Sequence, residues 1–163
     1  MAITSDFFFW MQTISGLIFN LTLQEGGIMA FFDWKDDYSV GITKIDEQHK
    51  KLVGFLNELY DAMKAGKGKD TLDKVLVGLV EYTKTHFATE ESLMRLHKYP
   101  DYDAHKEKHD KLTAYVLDLK TKFDAGQISN PIQITNFLKD WLGKHILGTD
   151  KMYGPFFNGK GVR

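Results

Sequence analysis

Apolar residues along this chain recur at steps of three and four, the period of a helix with one buried face. Near residues 46–65 the stripe is Leu52, Leu56, Leu59 and Met63, and Gly66 and Gly68 end it. A second helix near 70–97 starts at Asp70 or Thr71, buries Leu72, Val75, Leu76, Leu79 and Tyr82, and stops ahead of Pro100. A third near 102–125 carries Leu112, Val116, Leu119 and Phe123, with Gly126 closing it. The fourth opens at Asn130-Pro131, a cap followed by proline in the first turn, and continues through Ile134, Leu138 and Trp141. No strand-like alternation of any length occurs. Short connections make consecutive helices antiparallel, so the pattern predicts an all-α, up-down-up-down four-helix bundle.

Two segments fall outside that pattern. Residues 29–39 are rich in aromatics and aspartate, with Phe31, Phe32, Trp34 and Tyr38, and lack a sustained period, which predicts an N-terminal arm packed over the bundle. Residues 1–28 are apolar in two runs but lack the positive start and small-residue cleavage site of a secretory signal. Gln12, Thr13, Ser15, Asn20 and Thr22 interrupt those runs, so no stable membrane insertion is expected. Gln24-Glu25-Gly26-Gly27 can be encoded by a purine-rich tract resembling a ribosome-binding site just before Met29. The organisation expected is therefore an extension at 1–28, read as a start taken too early, and one domain at 29–163.

Composition narrows the chemistry. With Lys+Arg 21 against Asp+Glu 22, the chain lacks the basic excess that a phosphate backbone recruits, so no nucleic acid partner is expected. Cysteine is absent, which removes disulfides and thiolate ligands and fits a cytoplasmic location. Any metal must be held by nitrogen and oxygen.

The histidines supply such donors. Five of six lie on the apolar stripes: His49 three before Leu52, His86 four after Tyr82, His105 and His109 leading into Leu112, and His145 four after Trp141. Glu90 follows His86 by one turn, and Asp150 follows His145 by five residues. Residues four apart on a helix share a face, so His86/Glu90 and His105/His109 each present two donors together. The starts of the first and third helices and the ends of the second and fourth meet at one end of an antiparallel bundle, so all seven groups converge. Burying that many unpaired polar groups costs several kcal/mol, on the order of a few for each imidazole, unless a common partner satisfies them. Asp150 is the least regular, because five residues rotate about 140° past a full turn of an ideal helix. Either a loosened turn, which Gly148 permits, or a reach from the helix end is expected to bring it back. His97, beside Lys98 at the end of the second helix, reads as solvated and not as a ligand.

In order and spacing, His49, His86-x-x-x-Glu90, His105-x-x-x-His109 and His145-x-x-x-x-Asp150 resemble the ligand pattern of the hemerythrins, over about Phe31 to Phe157. The resemblance implies two non-haem irons, one held by His105, His109 and His145 and the other by His49 and His86. Glu90 and Asp150 would bridge them, with an oxo or hydroxo group as the third bridge. One coordination position then stays open, on the ion of His49 and His86, for reversible dioxygen binding in storage, transport or delivery to an oxygen-consuming enzyme. Leu52 and Trp141 are expected to wall that position. Gly148, where the marine-invertebrate carriers are expected to have a bulkier aliphatic, should leave it more open. The alternative is a di-iron redox enzyme, a ferroxidase or peroxide reducer, or an oxygen or iron sensing module. A histidine-rich, nearly saturated site favours binding over substrate oxidation, so no enzyme activity is expected.

Because residues 1–28 contribute no ligand and no periodic stripe, a chain begun at Met29 is expected to take up as much iron as the full chain. Metal analysis and membrane fractionation of both forms check this; membrane association that depends on residues 1–28 would show a targeting role instead.

Overall fold

The computed structural model describes residues 32–163. The expected extension at 1–28 and the first residues of the arm therefore lie outside the described residues. Helix α1 spans Thr43–Lys64, α2 Gly68–His97, α3 Tyr102–Asp124 and α4 Pro131–Trp141. A π-helical stretch, Leu142–Asp150, continues α4 without a break, and α5, Lys151–Gly159, completes the same pillar. Helix α1 packs against α2 and α4, and α2 against α3, so the four pillars form the expected up-down-up-down bundle.

The turns follow from local chemistry. At the ends of α1 and α3, Gly66 and Gly126 both adopt φ 70°, which costs a glycine little. Lys67 then donates its backbone N–H to Ala62 at 2.8 Å, and Gln127 to Lys122 at 2.9 Å. Lys98 makes the corresponding left-handed turn after α2 at φ 55°, letting Tyr99 donate to the carbonyl of Met94 at 2.8 Å. Asn130 caps α4 by accepting from the N–H of Ile132 at 3.0 Å, with Pro131 in the first turn.

The arm is tied down at two points. The backbone of Phe32 exchanges two hydrogen bonds of 2.9 Å with the side-chain amide of Asn57. Further on, Asp46 accepts from the N–H of Val40 at 2.8 Å and from the Ser39 hydroxyl at 2.5 Å. Trp34 thereby comes to 6.5 Å from the His49 ring, between ring centres.

Two apolar clusters divide the interior. The larger contains Leu52, Leu56, Leu72, Leu79, Leu138 and Trp141. The smaller contains Val40, Ile42, Ile45, Met94, Tyr153 and Phe157. Along α1 the order is Ile45, His49, Leu52; along α2 it is Tyr82, His86, Glu90, Met94; along the fourth pillar it is Trp141, His145, Asp150, Tyr153. The candidate donors thus form a polar layer between the two clusters. No helix among the described residues is long and apolar enough to cross a membrane.

The fit of the smaller cluster is close at one backbone crossing. A Cβ on buried Gly154 would lie 2.8 Å from the carbonyl oxygen of Val40, which backbone cannot yield cheaply. Gly154→Ala is expected to lower stability by about 1–3 kcal/mol, the usual range for overpacking, read as a shift of the urea midpoint. A neutral result would show that the arm and α5 separate easily.

Candidate metal centre

Helices α1, α2, α3 and the π stretch bring all seven predicted donors into one buried layer: His49, His86, Glu90 and Asp150 have no solvent exposure, and His105, His109 and His145 have 5% or less. Each imidazole presents Nε2 to the carboxylates. Glu90 divides its oxygens: Oε1 lies 3.5 Å from His86 and 3.9 Å from His49, whereas Oε2 lies 3.0 Å from His109 and 3.4 Å from His105. Asp150 does the same, with Oδ2 at 3.3 Å from His49 and Oδ1 at 3.5 Å from both His105 and His145. The donors therefore fall into two groups, Glu90/His105/His109/His145/Asp150 and His49/His86/Glu90/Asp150, each with its donor atoms within 4.8 Å of one another. Both carboxylates belong to both groups.

The π stretch explains how Asp150 joins them. In a helix bonded from i to i+5 a turn takes more residues, so a five-residue step returns close to the starting face. Of the two expected routes it is the loosened turn that forms, and the loosening extends beyond Gly148 over Leu142–Asp150. The same widening corrects the expectation for Gly148. Three steps from His145 now fall further short of a full turn, and Gly148 is exposed, with no atom of another element within 4 Å of a Cβ built there. It forms no part of the wall around the donors.

The hemerythrin HHE cation binding domain is the family whose sequence model matches, over residues 40–157, a span that includes all seven donors. The chain belongs to the hemerythrin family. It is 37% identical to the bacteriohemerythrin of Methylococcus capsulatus over 128 residues, 78% of this chain and 97% of that protein. A hemerythrin-like protein of Naegleria gruberi is also 37% identical, over 75% of this chain and 90% of its own length. A solved wild-type hemerythrin superposes with a TM-score of 0.70 at 36% identity, covering 77% of this chain and 97% of the other.

The residues present suit the two metal ions that a hemerythrin centre implies. Nε2 of His49, His86, His109 and His145 and both oxygens of Asp150 are buried without an aligned hydrogen-bond partner. Leaving each such group unsatisfied costs about 1–3 kcal/mol, so six of them strongly favour a bound cation. Imidazole and carboxylate donors without sulfur match iron in the hemerythrin pattern.

Around the donors stand residues that stripe analysis did not reveal. Gln48 accepts from Nδ1 of His86 at 3.1 Å, and Glu91 accepts from Nδ1 of His109 at 3.2 Å, so both rings keep Nε2 free for the layer. Each follows or precedes a donor by one residue in sequence, off the apolar face. The phenol of Tyr153 donates to Oε1 of Glu90. Burial, with Glu90 and Asp150 nearby, pushes that phenol well above its ordinary pKa, so it stays a donor. Phe87 stacks on His109 with ring centres 3.8 Å apart, and Tyr82 on His86 at 4.9 Å. Leu52 and Trp141 are buried beside the layer in the larger cluster. His97 is outside both donor groups, as expected, but is half-buried edge-on to Phe157 and not freely solvated.

Burial drives the His86 imidazole down to about 3 and lowers His49 and His145 as well, outweighing the attraction of Glu90. Burial opposes ionisation of Glu90, yet the imidazoles of His86, His105 and His109 hold it well below the ordinary carboxylate range. Asp150 moves up, through burial and then the charge of Glu90. In the metal-free protein the unfolded chain binds more protons at the three histidines, whose ordinary value is 6.5, and so their contribution to stability is intact above that pH and lost below it. Glu90 adds a loss at lower pH, and only Asp150 acts in the opposite sense. The thermal midpoint of metal-free protein is expected to fall steadily from about pH 7 to about pH 4, measured by calorimetry. A level or rising midpoint over that interval would contradict the assignment.

Proposed function

We propose that this chain binds dioxygen reversibly at a non-haem di-iron centre, in which His105, His109 and His145 hold one iron, His49 and His86 the other, and Glu90 and Asp150 both. The observation that carries this reading is the division of each carboxylate between the two histidine groups, with Oε1 and Oε2 of Glu90 facing different groups and Oδ1 and Oδ2 of Asp150 likewise. When bound, the iron pair supplies one electron from each ion for reversible binding of dioxygen.

The chain's own residues do the rest. The smaller histidine group, His49 and His86, contributes two nitrogens against three on the other side, which leaves that half of the centre for dioxygen. Leu52, Tyr82, Phe87 and Trp141 are buried beside the donor layer, Tyr82 against His86 and Phe87 against His109, excluding water that would otherwise bring protons to the centre. Gln48 and Glu91 orient their imidazoles, and Tyr153 steadies Glu90 from the smaller cluster. Gly148 is exposed and stands outside that wall, so its lack of a side chain does not open it. A nitrogen-rich donor set favours binding over oxidation of an organic substrate. The wider role we propose is storage or delivery of oxygen in the cytoplasm, with an oxygen-consuming enzyme as recipient.

Purified protein is expected to hold about two irons per chain, as the paired donor groups imply, and His109→Ala to lower that content while His97→Ala leaves it unchanged. Anaerobic ferrous protein is expected to develop a visible charge-transfer colour in air and to lose it under an inert purge. Tight binding of one zinc, or immediate conversion to ferric protein with no purge-reversible colour, would defeat the reading.

A further inference from the structure

The two histidine groups differ in what holds their imidazoles from behind. On the three-histidine side, Nδ1 of His109 donates to the carboxylate of Glu91 at 3.2 Å. On the two-histidine side, Nδ1 of His86 donates to the neutral amide oxygen of Gln48 at 3.1 Å, and the Gln48 amide is fixed in that orientation by donating to the Thr89 hydroxyl at 3.2 Å. The other ring on that side, His49, has no hydrogen-bond partner for Nδ1 among the described residues. The anionic partner thus falls on one side only of this pair.

That difference has an electronic consequence. A carboxylate behind an imidazole N–H raises the basicity of the opposite nitrogen, and a more basic ligand stabilises the higher charge of a ferric ion. An amide at the same distance orients the ring but adds far less charge. Glu91 is only 14% exposed, so water screens it weakly, and it lies 3.6 Å from Arg95, whose guanidinium is 54% exposed and also donates to the Tyr102 hydroxyl at 2.9 Å. Arg95 draws some of the Glu91 charge away from His109.

Resting on the di-iron reading above, we infer that Glu91 is a positioning residue that sets the two irons apart in redox potential. Through His109 it makes the ion of His105, His109 and His145 the harder one to reduce, while Gln48 leaves the ion of His49 and His86 the easier one. The first electron given to the diferric protein then enters on the two-histidine side, and the second on the three-histidine side. Glu91 touches neither iron nor dioxygen; its effect passes through the imidazole ring.

The test is a stepwise reductive titration of the iron-loaded protein, followed by the mixed-valent signal in electron paramagnetic resonance, after iron content has been measured for each form. Glu91→Gln keeps a hydrogen-bond acceptor and removes the charge; it is expected to retain its iron and to favour the second reduction by about tenfold, a rise of about 59 mV for a one-electron step, with the first step nearly unmoved. Gln48→Glu is expected to lower the first potential by a similar factor, so that both variants narrow the gap between the steps from opposite directions. Arg95→Gln should move the second potential the other way from Glu91→Gln, by a smaller factor. Wild-type protein without iron would defeat the di-iron reading itself. Iron-loaded Glu91→Gln with both potentials unchanged, or shifted equally, would overturn this inference alone. Should Glu91→Gln lose its iron, an iron-loaded Gln48→Glu whose first potential does not fall would overturn it.

Discussion

Seven buried donor groups with too few hydrogen-bond partners among them are the constraint on which the molecule turns. Five imidazole nitrogens face two carboxylates across 3.0–3.9 Å, and most have no aligned partner to satisfy them. Hydrophobic burial on either side makes the layer expensive to leave unfilled. A pair of cations would partner the unsatisfied donors together. The bundle can therefore be seen as two apolar clusters held apart by a polar seam, with contributions to the seam from all four pillars.

That division also accounts for the residues that stand behind the donors. A donor nitrogen on an otherwise free-spinning ring would be poorly placed, and the rings of His86 and His109 are fixed both by a bond at Nδ1 and by an aromatic face, Tyr82 for one and Phe87 for the other. Glu90 is reached from the opposite cluster by Tyr153. The seam is thus braced from above by the smaller cluster and from below by the larger one, and the arm carries Val40 and Ile42 into the former.

Much of this was legible in the sequence because helix period and antiparallel order are local and topological facts. Stripes of Leu52, Leu76, Val116 and Leu138 placed the helices, and the positions of His49, His86, His105, His109 and His145 on those stripes placed the donors at one end. What was not legible depends on departures from the ideal period. Counting from His145 in steps of an α-helix turned Asp150 away and Gly148 inward, and the π stretch reverses both. Gln48 and Glu91 sit off the apolar faces, where a polar side chain carries no signal of its own until the neighbouring ring is seen to point at it. Tyr153 looks like one more aromatic of a core stripe, since only its hydroxyl distinguishes its role.

The nine residues from Leu142 to Asp150 have a consequence for how the chain tolerates changes in length. Were the stretch to relax into an ordinary α-helix with its present number of residues, Asp150 would end about 140° past a full turn from His145 and everything beyond would rotate with it. His145 could stay in place while Asp150, Tyr153, Gly154 and Phe157 swung off the seam together, withdrawing a carboxylate from the donor layer, the Tyr153 hydroxyl from Glu90 and Gly154 from its crossing with Val40 in a single event. Exposed side chains in this stretch can be exchanged one at a time, Gly148 among the most freely, but the number of residues and the winding can change only together, since one residue fewer between His145 and Asp150 puts the two on one face of an ordinary α-helix. The pillar is in this sense an inherited length as much as an inherited sequence of side chains.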